Sequence, residues 1–211
     1  MKIPIAKEGF IFIIPLFIIT ILTLLLSFNW AAAIFGLAFL FVTSFFRDPE
    51  RCIPNEPNVI VSPADGKITE IVTEKEPISG QSFTRITIFL SVFNVHVNRV
   101  PIEGVIEDIR YNPGKFLAAF NPKASMDNEQ NIIKINNGKT NVYVKQIAGL
   151  IARRIVCWPK KGDYYKSGQR YGLIRFGSRV DILLPENTKL SIFCGDRVSG
   201  GKSIIGYLSP N

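Results

Sequence analysis

The chain has 211 residues, with 25 Lys+Arg against 17 Asp+Glu for a formal charge of +8, and 47% of it is hydrophobic. That length favours one domain with a real core, and so many apolar residues exclude a wholly disordered chain. Three cysteines, Cys52, Cys157 and Cys194, show no C-x-x-C or Cys/His spacing, which argues against a disulfide framework or a structural zinc site and for a reducing compartment.

No Asp, Glu, Lys or Arg occurs from Gly9 to Phe46. A bilayer core of about 30 Å takes about 20 apolar residues as a helix, so this stretch is long enough for two short spans. Phe10 to Phe28 is the first and Trp30 to Phe46 the second, with Ser27, Asn29 and Trp30 at the turn. The shorter apolar region and small-residue cleavage site of a secretory signal are not evident. Residues 1–46 are therefore expected to form a membrane-embedded helical hairpin rather than a single tilted span or an interfacial hairpin. Lys2 and Lys7 precede it and Arg47 and Arg51 follow it, so the positive-inside rule puts both flanks, and the domain after them, in the cytoplasm at the inner membrane. Glu8 leaves +1 up to Phe46 and hence +7 of the +8 beyond it. Such a domain is drawn to anionic headgroups, and no aromatic and basic motif points to nucleic acid.

From Arg47 onward, short β-branched and aromatic runs alternate with Gly, Pro and Asn. Ile68 to Thr73, Arg85 to Val92, Gly104 to Tyr111, Asn131 to Ile135 and Asn141 to Ile147 read as strands. Asn137-Gly138 predicts a tight I′ hairpin turn. Helix signals outside the apolar segment reduce to a turn around Lys115 to Phe120. The late glycines (Gly162, Gly168, Gly172, Gly177, Gly195, Gly200, Gly201, Gly206) suit the close turns of a compact barrel or sandwich. Residues 47–211 are thus expected to be mainly β.

Candidates for chemistry are few. His96 is the one histidine, and strand alternation over Asn94 to Asn98 puts it with the two asparagines on a polar face. An idle surface histidine is the competing reading. Asp65 sits in the turn Ser62-Pro63-Ala64-Asp65-Gly66, and Gly177-Ser178 reads by itself as a bend, without the G-x-S-x-G pattern of an esterase elbow. Spacing alone identifies no nucleophile.

Together these segments resemble the phosphatidylserine decarboxylase proenzyme family, in its short membrane-associated bacterial form. The resemblance runs from the apolar hairpin through Ser62-Pro63-Ala64-Asp65-Gly66, Phe93-Asn94-Val95-His96-Val97-Asn98-Arg99, Pro113-Gly114-Lys115-Phe116 and Gln146-Ile147-Ala148-Gly149 to Gly172-Leu173-Ile174-Arg175-Phe176-Gly177-Ser178-Arg179. It implies a barrel-sandwich-like catalytic domain that cuts itself between Gly177 and Ser178. The products are a β chain (1–177) and an α chain (178–211), which stay associated as a heterodimer. It further implies that Ser178 becomes a pyruvoyl group, that His96 and Asp65 are the family's histidine and aspartate, and that neither a metal nor an external cofactor is needed.

The implied chemistry is coherent. Ser178 Oγ attacks the Gly177 carbonyl to exchange the amide for an ester, and glycine keeps the approach open because it lacks a Cβ. β-Elimination then frees the Gly177 carboxylate, and hydrolysis of the dehydroalanine releases ammonia and leaves pyruvoyl. His96 is the expected base and Asp65 the group that orients it. In turnover the pyruvoyl carbonyl acts as the electron sink for decarboxylation of phosphatidylserine to phosphatidylethanolamine, with His96 as proton donor.

Lys115 and Arg153 are the expected phosphate contacts, with Arg154, Lys160 and Lys161 nearby in sequence. The family segment resembling Ala124 to Glu129 continues with arginine where Gln130 stands here, which weakens any phosphate role for that position. An archaetidylserine-type decarboxylase would share these motifs. From a different class, Val59 to Thr73 and Gly195-Asp196-Arg197-Val198-Ser199-Gly200-Gly201-Lys202 look similar to turns of biotinyl and lipoyl domains, as in a membrane-anchored barrel-sandwich adaptor; the long heptads of adaptors are absent. A membrane-anchored structural β domain is the third reading.

Overall fold

The computed structural model describes residues 4–75, 82–114, 128–149, 154–175 and 178–209. The chain divides into two compact units, Met1–Glu50 and Arg51–Asn211.

In the first unit a short 3-10 turn, Lys7–Gly9, leads into α1 (Phe10–Leu25), and α2 follows (Asn29–Phe45). Ser27 takes φ 62° in the connection between them, a left-handed conformation that reverses the chain in three residues. Phe17 and Phe39 rings meet across the helices at 5.6 Å, and Phe12 stacks on Phe46 at 5.7 Å. The Thr20 hydroxyl donates back to the Leu16 carbonyl at 2.7 Å, so it leaves no unpaired polar group on the apolar helix. At the open end Ala6 N–H donates to the Phe46 carbonyl and Asp48 N–H to that of Pro4, which brings Lys7 and Arg47 to the same end. The helical run Lys7–Leu25, 19 residues, is long and apolar enough to cross a membrane, whereas α2 is shorter. Leu25, Leu26, Trp30 and Leu37 are largely exposed on its outside.

The second unit is β throughout its described residues. Its strands are β1 (Val59–Val61), β2 (Gly66–Lys75), β3 (Ser82–Leu90), β4 (Val97–Arg99), β5 (Gly104–Asn112), β6 (Gln130–Asn136), β7 (Asn141–Ala148), β8 (Ile155–Cys157), β9 (Tyr164–Tyr165), β10 (Arg170–Ile174), β11 (Ser178–Pro185), β12 (Lys189–Leu190), β13 (Arg197–Val198) and β14 (Ile204–Tyr207). Eight of them form one antiparallel sheet in the order β13-β2-β3-β11-β7-β6-β5-β9; two three-stranded sheets, β4-β10-β8 and β1-β14-β12, complete a sandwich-like domain. Alternate residues of the large sheet point into one core: Ile86 and Ile88, Ile133 and Ile135, Val142 and Val144, Val180 and Ile182 are all fully buried. Branched side chains dominate that face because they pack well on a pleated surface.

The five expected strands lie within β2, β3, β5, β6 and β7, except that β3 stops at Leu90 rather than Val92. There the Asn94 side chain accepts hydrogen bonds from both the N–H and the hydroxyl of Ser91, which turns the chain out of the sheet. The expected two-residue I′ turn is replaced by a four-residue loop. Asn136 pairs with Asn141, and Gly138 has positive φ (84°) whereas Asn137 does not. Asn137 instead uses its side-chain oxygen to accept the N–H groups of Lys139 and Thr140 at 3.0 and 2.9 Å. The turn expected around Lys115 to Phe120 lies outside the described residues.

Gly172 in β10 is closed in by the neighbouring strand of its own sheet and by Gln146 of the facing one. A Cβ there would sit 2.1 Å from the Val156 carbonyl oxygen and 3.2 Å from Gln146 Nε2. Gly172→Ala is therefore expected to lower stability by about 2–3 kcal/mol, read as a fall in the urea midpoint of the detergent-solubilised protein with the m-value unchanged. An unaltered midpoint would show that the strand can retreat at no cost.

Candidate active site

Ser178 opens β11, and two ladders decide where it sits. It pairs with Leu90 at the end of β3 on one side and with Ala148 at the end of β7 on the other. It shares parity with Val180, Ile182 and Leu184, which face the core, so its side chain points into the sandwich. The hydroxyl is buried, with no hydrogen-bond partner among the described residues. Leaving such a group unpaired costs about 1–3 kcal/mol, a cost that calls for an explanation.

His96 reaches the same end of the domain from the small sheet. After the Ser91–Asn94 turn the chain enters β4, where Leu173 pairs with Val97 and Ile174 N–H points at the His96 carbonyl at 3.4 Å. The segment from Leu90 to His96 is thus tied at its start to Ser178 and at its end to Ile174, four residues before that serine. Nδ1 of His96 lies 2.9 Å from the Asn94 carbonyl oxygen. A carbonyl only accepts, so Nδ1 carries a proton, and the neutral form with this contact has its lone pair at Nε2. At 2% exposure the residue is buried; the polar strand face read from the alternation faces inward, which removes the idle surface histidine.

Asp65, 9% exposed, holds a turn together. Its carboxylate accepts both oxygens' worth of contact from Arg51 Nη2, at 2.9 and 3.2 Å, and Oδ1 also accepts the Gly200 N–H at 2.7 Å. The Gly195–Lys202 stretch that looked like a carrier-domain turn supplies that N–H, and Gly201 N–H donates to the Ser62 carbonyl beside it. The turn in turn meets β4, since Arg99 N–H donates to the Pro63 carbonyl at 2.9 Å. The orienting contact seen at His96 Nδ1 is therefore the Asn94 carbonyl, while the hydrogen bonds of Asp65 go to Arg51 and Gly200.

Four buried polar residues that sequence reasoning did not single out line the same inner face. Asn131 Nδ2 donates to Gln146 Oε1 at 3.1 Å, and Gln146 Nε2 donates across the layers to Asn98 Oδ1 at 2.9 Å. Gln146 stands two residues before Ala148, the partner of Ser178, and Asn98 two residues after His96. Glu129 accepts the Tyr111 hydroxyl at 2.9 Å and the Ile155 N–H at 3.2 Å on Oε1. Burial, followed by this bond to Glu129, pushes the Tyr111 hydroxyl above its ordinary pKa. Burial raises the Cys157 thiol and, well above the usual range, the Tyr171 hydroxyl, so all three remain protonated at neutral pH. The available signal was polar residues at strand parity, Glu129, Asn131 and then Ile133 and Ile135, where a solvated face would be equally polar.

Gly177, Lys115 and Arg153 lie outside the described residues. Arg154 is exposed, and its carbonyl accepts the Arg175 N–H. Lys160 and Lys161 are exposed on the turn packed against Ile106 of β5, where Lys160 N–H donates to Asp163. No group of three or more potential metal ligands occurs among the described residues.

A family model described as phosphatidylserine decarboxylase matches residues 38–206. Among curated relatives, the phosphatidylserine decarboxylase proenzyme of Geotalea uraniireducens is 46% identical over 206 residues, covering 97% of each chain. That of Desulfotalea psychrophila is 45% identical over 210 residues, covering 98% of each. The Wolbachia pipientis protein of the same name is 45% identical over 213 residues, covering 96% of this chain and 90% of its own.

Asp65→Asn would leave Arg51 without its countercharge while keeping an oxygen for the Gly200 N–H. Because the ion pair is only partly shielded, with side chains 16% and 12% exposed, the expected loss of stability is about 1–2 kcal/mol. Chemical denaturation with and without the substitution measures it; equal midpoints would mean the pair contributes nothing.

Proposed function

Because this chain belongs to the phosphatidylserine decarboxylase family, we propose that it is a self-processing proenzyme whose mature form converts phosphatidylserine to phosphatidylethanolamine and CO2. The observation that carries the reading is the Ser178 hydroxyl, buried and without a partner among the described residues at the first residue of β11, at the end of the domain to which backbone pairing also brings His96. An unpaired hydroxyl in a dry setting is a nucleophile awaiting a base, and a lone pair on His96 Nε2 supplies one. The carrier or adaptor reading has no use for such a serine.

A pyruvoyl group derived from Ser178 fits this setting, because Ala148 beside it contributes only a methyl and the hydroxyl that attacks Gly177 has, among the described residues, no hydrogen bond to break first. It supplies a carbonyl that condenses with the headgroup amine and accepts the electron pair released as CO2 departs. His96 takes the Ser178 proton during cleavage and, in turnover, holds at Nε2 the proton that replaces CO2. The Asn94 carbonyl fixes the ring for both tasks. Asp65 positions rather than reacts: with Arg51 and Gly200 it pins the Ser62–Gly66 turn against Arg99, three residues from His96. No metal and no external cofactor is required.

Cleavage before Ser178 leaves the two chains together for a physical reason. β11 hydrogen-bonds along β3 and β7, β13 pairs with β2, and β14 with β1, so the α chain is woven into the β chain as a heterodimer. The substrate's acyl chains stay in the bilayer, which spares the enzyme about 0.8 kcal/mol for every CH2 it would otherwise lift out. The apolar exterior of α1 and α2 supports a hairpin lodged in the membrane, and Lys2, Lys7, Arg47 and Arg51 support a cytoplasmic face at the inner membrane. Lys115 and Arg153 remain the phosphate contacts of this reading.

Intact mass of the detergent-solubilised protein tests it. The expected products are residues 1–177 and a 178–211 fragment one ammonia lighter than its serine-ended form, with Ser178→Ala remaining whole. A whole wild-type chain would sink the reading. His96→Ala is expected to slow cleavage by about 10²–10⁴-fold, followed by gel densitometry over time; a wild-type rate would remove the histidine from the processing step.

A further inference from the structure

Glu129 is 4% exposed, and its two carboxylate oxygens have different surroundings. Oε1 is anchored by the Tyr111 hydroxyl and the Ile155 N–H, whereas Oε2 is buried with no hydrogen-bond partner among the described residues. Register places this carboxylate beside the reacting residue. Gln130 pairs with Ile147, Ala148 N–H donates to the Glu129 carbonyl at 3.0 Å, and Ala148 pairs with Ser178. Glu129, Ala148 and Ser178 therefore form one row across the sheet, two ladder steps of about 4.8 Å. All three share the inward parity of Asn131 and Ile133 on β6, Val144 on β7 and Val180 on β11. In that row Ala148, with only a methyl for a side chain, stands between the glutamate and the serine.

A buried carboxylate oxygen without a partner is a site for a cation that brings its own N–H donors. Of the groups on a serine phospholipid headgroup, the phosphate and the carboxylate are anions that Glu129 repels, and the primary ammonium offers three donors. Resting on the decarboxylase reading above, we infer that Glu129 Oε2 binds the headgroup ammonium beside position 178 and takes one proton from it. One N–H bond breaks, one O–H bond forms on Oε2, and the electron pair stays on nitrogen as the lone pair of a nucleophilic amine. Glu129 is then a catalytic residue distinct from His96, responsible for amine activation and for choosing amine headgroups over neutral ones.

Among the described residues, the titratable groups on the elements packed around Glu129 are Tyr111 on β5, Arg154 and Cys157 at β8, Tyr171 on β10 and His96 ahead of β4. Tyr111, Cys157 and Tyr171 are all pushed above their ordinary values, so none of them supplies a new base near neutrality.

The test compares wild type, Glu129→Gln and Glu129→Asp as full chains in mixed micelles with phosphatidylserine. Intact mass reports cleavage, and labelling by methoxyamine, an amine already unprotonated at neutral pH, reports the reactive carbonyl at position 178. Expected for Glu129→Gln are normal cleavage, normal methoxyamine labelling, and decarboxylation at least about 100-fold slower at neutral pH. That residual rate should climb about tenfold per pH unit between roughly pH 6.5 and 8.5 as the substrate amine deprotonates itself, while wild type shows no such climb. Glu129→Asp should recover part of the rate. A Glu129→Gln rate equal to wild type, or a slow rate that stays flat with pH, would overturn the inference. So would a Glu129→Gln chain that stays whole, which would assign the carboxylate to cleavage instead. A whole wild-type chain would overturn the decarboxylase reading itself, an outcome the mass measurement separates from the others.

Discussion

The double pairing of β11, with β3 on one side and β7 on the other from its first residue onward, is the constraint on which the rest of this domain depends. A central strand has no freedom to shift its register without turning every inward side chain outward. Ser178 is therefore held at one height and on one face, opposite Leu90 and Ala148. The same ladders hold Ser178 to Pro185 through bonds that do not pass through the peptide that precedes them.

Around that strand the domain carries more buried polarity than its Ile- and Val-rich core requires. The Asn131–Gln146–Asn98 chain of amides crosses from one sheet to the other, and Gly172 permits the approach by having no side chain to obstruct Gln146. Asp65 with Arg51 and Gly200 closes the turn that abuts β4. Each group here is costly if unmatched. Clustering them at one end confines that cost and leaves the opposite flank, built from Ile86, Val142, Ile182 and their neighbours, as a dry anchor. A low-dielectric pocket also strengthens the electrostatic contacts on which proton transfer depends.

The helical unit follows a different logic. Its helices satisfy their own backbone groups, and the hydroxyls of Thr20 and Thr23 donate to carbonyls of the preceding turn. Little polarity is left exposed along it, which is the condition for residence in lipid. A decarboxylase whose substrate is a membrane lipid gains from such an attachment, since substrate and enzyme then meet in two dimensions and the acyl chains need not leave the bilayer.

How far these features were legible in the residues differs element by element. The alternation in Arg85 to Leu90, Asn131 to Ile135 and Asn141 to Ile147 specified the long strands, because one buried face imposes a period of two on any sequence that makes it. The strands β1, β4, β8, β9, β12 and β13 escaped, since two or three residues cannot display a period; β10, β11 and β14 escaped as well, β11 because it is buried along almost its whole length and so shows no clean alternation. The Asn137-Gly138 pair marked its turn correctly but not its type, because the Asn137 side chain supplied an acceptor that a two-residue turn would have wasted. Ser178, His96 and Asp65 were expected from the order and spacing of motifs that resemble a family, because no local pattern around any one of them indicates chemistry. What the sequence alone determined was a basic β domain behind a charge-free apolar segment, since hydropathy and charge are local properties of the chain. Only the tertiary structure decided that His96 is buried and held by Asn94, that Asp65 answers to Arg51, and that Glu129 shares a row with Ser178, 49 positions away in the chain. Those facts are products of strand register, and register is set by ladders between segments that no local pattern relates.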